Sequence, residues 1–133
     1  MIDKKIINIA YNTSNVGLMN NYTHRSSVKN SICGDKITLE LIANKKKVRS
    51  MKYETESCIY CEASASLLSR KIKKLSIRYI KKEFTLLKQI AKKKEIKIPK
   101  KLEEFDKLIN SDNLKRLNCV ILPFNAVLKA LKL

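Results

Sequence analysis

The chain has 133 residues, 44% of them hydrophobic, which suits one domain over residues 1–133 with an ordinary core and argues against wholesale disorder. Its formal charge is +17, from 29 basic and 12 acidic residues. No run nears the ~20 apolar residues of a membrane span. The apolar stretch Ile6–Ala10 is too short for a secretory leader, so a cytoplasmic protein is expected, in a compartment where structural disulfides are disfavoured.

Residues 1–10 read as a turn or two of amphipathic helix with Ile2, Ile6, Ile7 and Ala10 on its apolar side. Residues 11–32, rich in Asn, Ser and Thr, read as a loop with a short extended piece. Two strands follow. In Lys36–Ala43, Ile37, Leu39 and Leu41 alternate with Thr38, Glu40 and Ile42. In Val48–Glu56, Met51 and Tyr53 share one face and Lys52 and Glu54 the other. The short polar segment Asn44–Lys47 makes a hairpin of the pair. A lone hairpin is marginal, so a third strand is expected from residues 20–30.

The period then becomes helical. From Glu62 to Lys74 the small residues Ala63, Ser64, Ala65 and Ser66 precede Leu67, Leu68, Ile72 and Leu75, a run that allows close approach to another backbone. Ile77, Ile80, Phe84, Leu87 and Ala91 have 3,4 spacing, with lysines opposite. Pro99 is a boundary, Lys101–Ile109 a short helix, and Pro123 the expected first residue of the last helix, with Phe124, Val127, Leu128 and Leu131 inward. The class is α+β, a small antiparallel sheet of about three strands packed against several helices.

Between Arg70 and Lys101 stand 14 basic residues against two acidic ones, Glu83 and Glu95. Such a field attracts acidic partners and binds nucleic acid weakly at low salt. The abundance of Lys, Ile and Asn gives compositional bias as a competing explanation. Tyr79 and Phe84 are the segment's sole aromatics, and Phe84 fits the buried face. A basic nucleic-acid-associated module is therefore kept as a secondary reading, and nucleic acid is not the expected partner.

Four cysteines, Cys33, Cys58, Cys61 and Cys119, need an explanation other than disulfides. Cys33-Gly34-Asp35 puts a thiol and a carboxylate on either side of a glycine that permits a tight bend; an ordinary loop turn is the plain alternative. Cys58 precedes a helix, where the peptide dipoles are expected to favour thiolate. Cys58-x-x-Cys61 is by itself half a zinc site or a redox pair. Cys119 lies near Arg116, which is able to pair with a thiolate or an anionic ligand. Three cysteines and Asp35 make a sound tetrahedral set for zinc, and the same soft sulfurs suit iron–sulfur species.

These residues together resemble a known family, the U-type iron–sulfur cluster assembly scaffolds. Asn12-Thr13-Ser14-Asn15-Val16-Gly17 looks like its N-terminal segment, with Thr13 where proline is usual. Cys33-Gly34-Asp35 matches its first cysteine motif. Cys58-Ile59-Tyr60-Cys61-Glu62-Ala63-Ser64-Ala65-Ser66 resembles the second, and Arg116-Leu117-Asn118-Cys119-Val120-Ile121-Leu122 the third. The resemblance implies a sheet-and-helix fold with Cys33, Asp35, Cys58 and Cys119 as metal ligands at one exposed end. It implies a scaffold or sulfur carrier rather than an enzyme. Such a protein accepts sulfur from a cysteine desulfurase, assembles a labile [2Fe-2S] cluster or binds iron, and passes its cargo to apo iron–sulfur proteins. A homodimer is compatible with it.

The departures suggest an alternative. One branch has His before the third cysteine; Asn118 stands here, and the sole histidine, His24, is far away. Arg116 looks like the sulfur-relay branch, whose members bind zinc and pass persulfide onward. Cys119 is the expected persulfide acceptor in scaffold chemistry and Cys33 in relay chemistry. Ser57 replaces a usual glycine, and Cys61 a usual Ser or other small residue. Cys61 is read as a packing thiol, with a second sulfur acceptor beside Cys58 as the other option.

Overall fold

The structure, a computed structural model, describes residues 4–93 and 97–133, with residues 91–93 described by backbone alone. Ile2, the Ala91 side chain and Glu95 therefore lie outside the described residues.

Helix α1 spans Lys4–Tyr11 and buries Ile6. Strands β1 (His24–Lys29), β2 (Lys36–Ala43) and β3 (Val48–Glu56) form an antiparallel sheet in the order β1-β2-β3. The register pairs Ser26 with Leu39, and Leu39 in turn with Tyr53. Ile37, Leu39 and Leu41 are buried, as the alternation predicts. Residues 15–17 meet the outer edge of β3 at Tyr53: the Gly17 N–H donates to the Tyr53 carbonyl at 2.8 Å and the Tyr53 N–H to the Asn15 carbonyl at 3.2 Å.

The polar face of β2 differs from expectation at one residue. Glu40 is only 2% exposed. Its Oε1 accepts from the N–H groups of Met19 and Asn20 at 2.7 and 3.1 Å, so the loop before β1 crosses the sheet and covers the carboxylate. Burial of a charged group is sustained by such donors.

Helix α2 runs Ile59–Lys71 and continues as a 3₁₀ turn, Ile72–Lys74. It starts three residues before the expected point because Cys58, extended at φ −71° and ψ 166°, serves as its N-cap. Its small residues do permit close approach: the Ser64 hydroxyl donates to the Val120 carbonyl at 2.5 Å. Helix α3 spans Ile77–Lys93 and buries Ile80, Phe84, Leu87 and Ile90. The segment expected as a helix over Lys101–Ile109 is a 3₁₀ segment, Lys100–Lys107, and another covers Ser111–Arg116.

Helix α4 spans Leu117–Leu131. This corrects the expected start at Pro123, which sits inside the helix. Burial of Leu117, Val120, Ile121 and Leu122 ahead of the proline outweighs the local penalty. Pro123 has no N–H to offer the Cys119 carbonyl four residues back. Phe124 anchors the core, edge-on to Phe84 at 4.8 Å and to Phe105 at 5.1 Å between ring centres. Among the described residues, no helix is long and apolar enough to cross a membrane.

A candidate metal centre at one end of the sheet

Three separate stretches of chain converge where β1 turns into β2. The six residues from Asn30 to Asp35 form that turn. Asn30 and Asp35 close it, with Asn30 N–H to the Asp35 carbonyl at 2.7 Å and Gly34 N–H to the Asn30 carbonyl at 2.8 Å. The Asn30 side chain accepts from the Ile32 N–H at 2.9 Å. Gly34 takes φ +76°, a conformation that L side chains rarely adopt. Cys33 is thereby lifted to the surface and Asp35 turned inward, at 6% exposure.

Cys119, in the first turn of α4, comes from beneath. Its Sγ is 3.5 Å from that of Cys33. The donor atoms of Cys33, Asp35 and Cys119 all lie within 4.8 Å of one another. Cys58 comes from the β3–α2 junction. Its thiol donates to Asp35 Oδ2 at 3.2 Å and its backbone N–H to Oδ1 at 3.1 Å. The structure thus brings Cys33, Asp35, Cys58 and Cys119 together around one carboxylate.

The electrostatics follow from that gathering. Burial pushes the Asp35 pKa up, but hydrogen bonds from Cys119, the Cys58 thiol and N–H, and Cys33 outweigh it and hold the carboxyl below its ordinary value. The thiols go the other way. Burial, then Asp35 and Cys33, push Cys119 well up. Burial also raises Cys58, with the Asp35 carboxylate adding to it and the Tyr60 and Cys61 N–H groups opposing. The expectation that the helix start favours the Cys58 thiolate is therefore corrected. Desolvation beside a carboxylate wins over the peptide dipoles. An ionised Asp35 thus lies beside the protonated thiols of Cys58 and Cys119, and a soft cation bound here would have to displace those protons.

Cys61 stands apart, completely buried, its thiol pushed up by burial to about 12. Arg116 caps α4, and its guanidinium lies over the Tyr60 ring, 5.7 Å from the centroid, rather than in an ion pair with a thiol among the described contacts. Asn30 and Tyr60 shape the site and were not singled out from the sequence. Asn30 carried a signal, since Asn often bonds its own backbone two residues on; Tyr60 carried none.

The fold is α+β, and three thiols and a carboxylate converge at one end of its sheet as a candidate metal site. The family model for the NifU-like N-terminal domain matches residues 1–118, and the chain belongs to that family. Among solved structures, a NifU-like protein (N-terminal) from Brucella abortus shares the fold with a TM-score of 0.86 at 18% identity, over 98% of this chain and 91% of that one. A protein from the thermophile Fervidobacterium islandicum AW-1, described as an iron–sulfur cluster assembly scaffold for the SUF system, has a TM-score of 0.79 at 20% identity, over 98% and 96% of the two chains. No curated protein matches the sequence.

Proposed function

We propose that this chain is an iron–sulfur cluster assembly protein that takes sulfur from a cysteine desulfurase and holds iron or a transient [2Fe-2S] cargo on Cys33, Asp35, Cys58 and Cys119. The observation that carries it is the convergence of the Cys33, Asp35 and Cys119 donor atoms within 4.8 Å, with Cys58 bonded to the same carboxylate. Thiolates are soft ligands suited to iron and sulfide. Asp35 is the hard member of the set and the readiest to let go, which suits a cargo meant to leave.

Exposure favours Cys33 as the first thiol to meet an incoming persulfide, since Cys119 lies beneath it. The 3.5 Å contact then supports passing sulfur inward to Cys119. Apo iron–sulfur proteins are the acceptors.

A zinc-bound sulfur relay is the second reading. Three cysteines and an aspartate suit tetrahedral zinc, and Arg116 lies over the ring of Tyr60, two residues on from Cys58. Purification without oxygen, followed by iron, zinc and acid-labile sulfide analysis, separates the two. Iron with matching sulfide and transfer to an apo acceptor supports assembly. Colourless zinc protein that stimulates a desulfurase supports the relay. Neither metal, with no response from a desulfurase, rejects both.

A further inference from the structure

We propose that the end of the sheet opposite the thiols is a docking surface for double-stranded nucleic acid, which it holds through the phosphate backbone without reading sequence. Such binding needs no metal at the thiols.

Two stretches of chain build the surface. The β2–β3 turn, Asn44–Lys47, is shaped by the Asn44 side-chain oxygen, which accepts from the Lys46 and Lys47 N–H groups at 2.7 and 2.8 Å. The turn is pinned to the start of α3: the Ile77 N–H donates to the Lys46 carbonyl at 2.8 Å, and Lys47 and Ser76 form an isolated antiparallel bridge. The pinning brings the turn residues Lys45, Lys46 and Lys47 to the same junction as Lys73, Lys74 and Arg78, all of them exposed. Exposed Lys81 and Lys82 continue the row along α3. The eight residues of β2 keep this pole about 26 Å from the turn that carries Cys33 and Asp35.

These cations are uncompensated. Among the described residues the ion pairs are Arg25–Glu40 and Lys71–Glu104, neither of them at this pole. The first turn of α3 holds no acid, and Arg78 stands there against the positive end of the peptide dipoles. Like charges crowded at one junction cost stability, so folding does not account for them. A lysine-rich composition explains how many cations the chain has, but not their gathering from two segments at one place.

The chemistry of the surface selects the partner. Among the described residues, none of the large apolar side chains that are exposed lies on the turn or at the start of α3, which leaves nothing to insert into a lipid surface. No ring is free to stack on bases: Tyr79 is half-buried, and Lys101 lies over it at 5.0 Å from the centroid. What remains is point charge, which suits phosphates. A duplex carries them more densely than a single strand and releases more of its condensed counterions when they are neutralised. Carboxylates on a flexible acidic peptide hold no such atmosphere and lose side-chain entropy on binding.

The test follows the fluorescence anisotropy of a labelled random-sequence DNA duplex, titrated with the full chain at a series of salt concentrations. Wild type should show a steep, linear fall of log affinity with log salt, and should bind the matching single strand more weakly. The triple variant Lys46→Gln, Lys74→Gln, Arg78→Gln should bind the duplex roughly tenfold more weakly or worse, with the slope shallower by about three. A control of equal net charge, Lys29→Gln, Lys36→Gln, Lys115→Gln, removes exposed cations nearer the thiol end and should stay close to wild type. Circular dichroism and melting check that each variant folds; if the pole triple does not, Lys46→Gln alone is read in its place, with the slope shallower by about one. The proposal is overturned if both triples lose affinity equally, or if a Glu-rich peptide or phosphatidylglycerol vesicles bind more tightly than the duplex. It is also overturned if zinc-loaded and metal-free protein bind the duplex differently, which would put the contact at the thiols. Neither a desulfurase nor a cluster enters the measurement, so failure of cluster assembly would leave this result standing.

Discussion

Asp35 grips Cys58 twice, taking its thiol on one carboxylate oxygen at 3.2 Å and its backbone N–H on the other at 3.1 Å. The turn after β1 and the start of α2 are thus tied by a residue that is also a candidate ligand. Asp35 both shapes the site and belongs to it.

Replacing Asp35 with Ala should therefore separate two roles. With the labile oxygen ligand gone, a cluster reconstituted on the variant should persist longer and move to an apo acceptor more slowly than from wild type. Transfer timed by circular dichroism in the visible range measures this. Equal transfer rates would remove Asp35 from the release step.

Metal affinity should climb with pH. The free thiols of Cys58 and Cys119 are held protonated by burial and by the adjacent carboxylate, so a cation must displace their protons. Zinc titrations against a competing chelator at a series of pH values should give tighter binding as pH rises, with protons released on binding. A flat profile would mean that the thiols are not the ligands.

Cys61 makes a separate prediction about stability. Its thiol, ordinarily near 9, is raised to about 12 in the folded chain. A raised folded value means the unfolded thiol ionises first. The contribution is intact below about 9 and is lost progressively as pH rises toward about 12. Melting of the metal-free protein should fall in that alkaline window, and Cys61→Ser should flatten the fall relative to wild type.

Gly34→Ala should cost about 1–2 kcal/mol. The added Cβ meets no atom within 4 Å, so the cost is backbone strain at φ +76° rather than a clash. Gly34→Asn should cost less, because Asn tolerates this conformation better. Urea unfolding measures both. Equal stability of Gly34→Ala and wild type would show that the turn relaxes to another shape.

Much of this was legible in the sequence, and the exceptions have physical causes. The bounds of β2 and β3 follow from apolar alternation, because one face of each is buried. The candidate ligand set was read from a thiol, a glycine and a carboxylate just before a strand, two further cysteine motifs and the family resemblance they carry; the structure brings those four side chains together. Pro123 misled, since the missing N–H is a local cost and the burial of Leu117 to Leu122 is a tertiary gain. Glu40 looked like a solvated position because its covering loop has no periodic signal. The Cys58 shift was missed for a similar reason: a helix start is visible in sequence, whereas the carboxylate folded against it from 23 residues away is not.

Residues 15–17 meet β3 at Tyr53 and take both of that residue's outward backbone groups. A neighbouring strand that added to this flank would have to displace that segment from the middle of β3. The same segment that carries Asn12 to Gly17 thereby sets how far an added strand could run along β3 before meeting it.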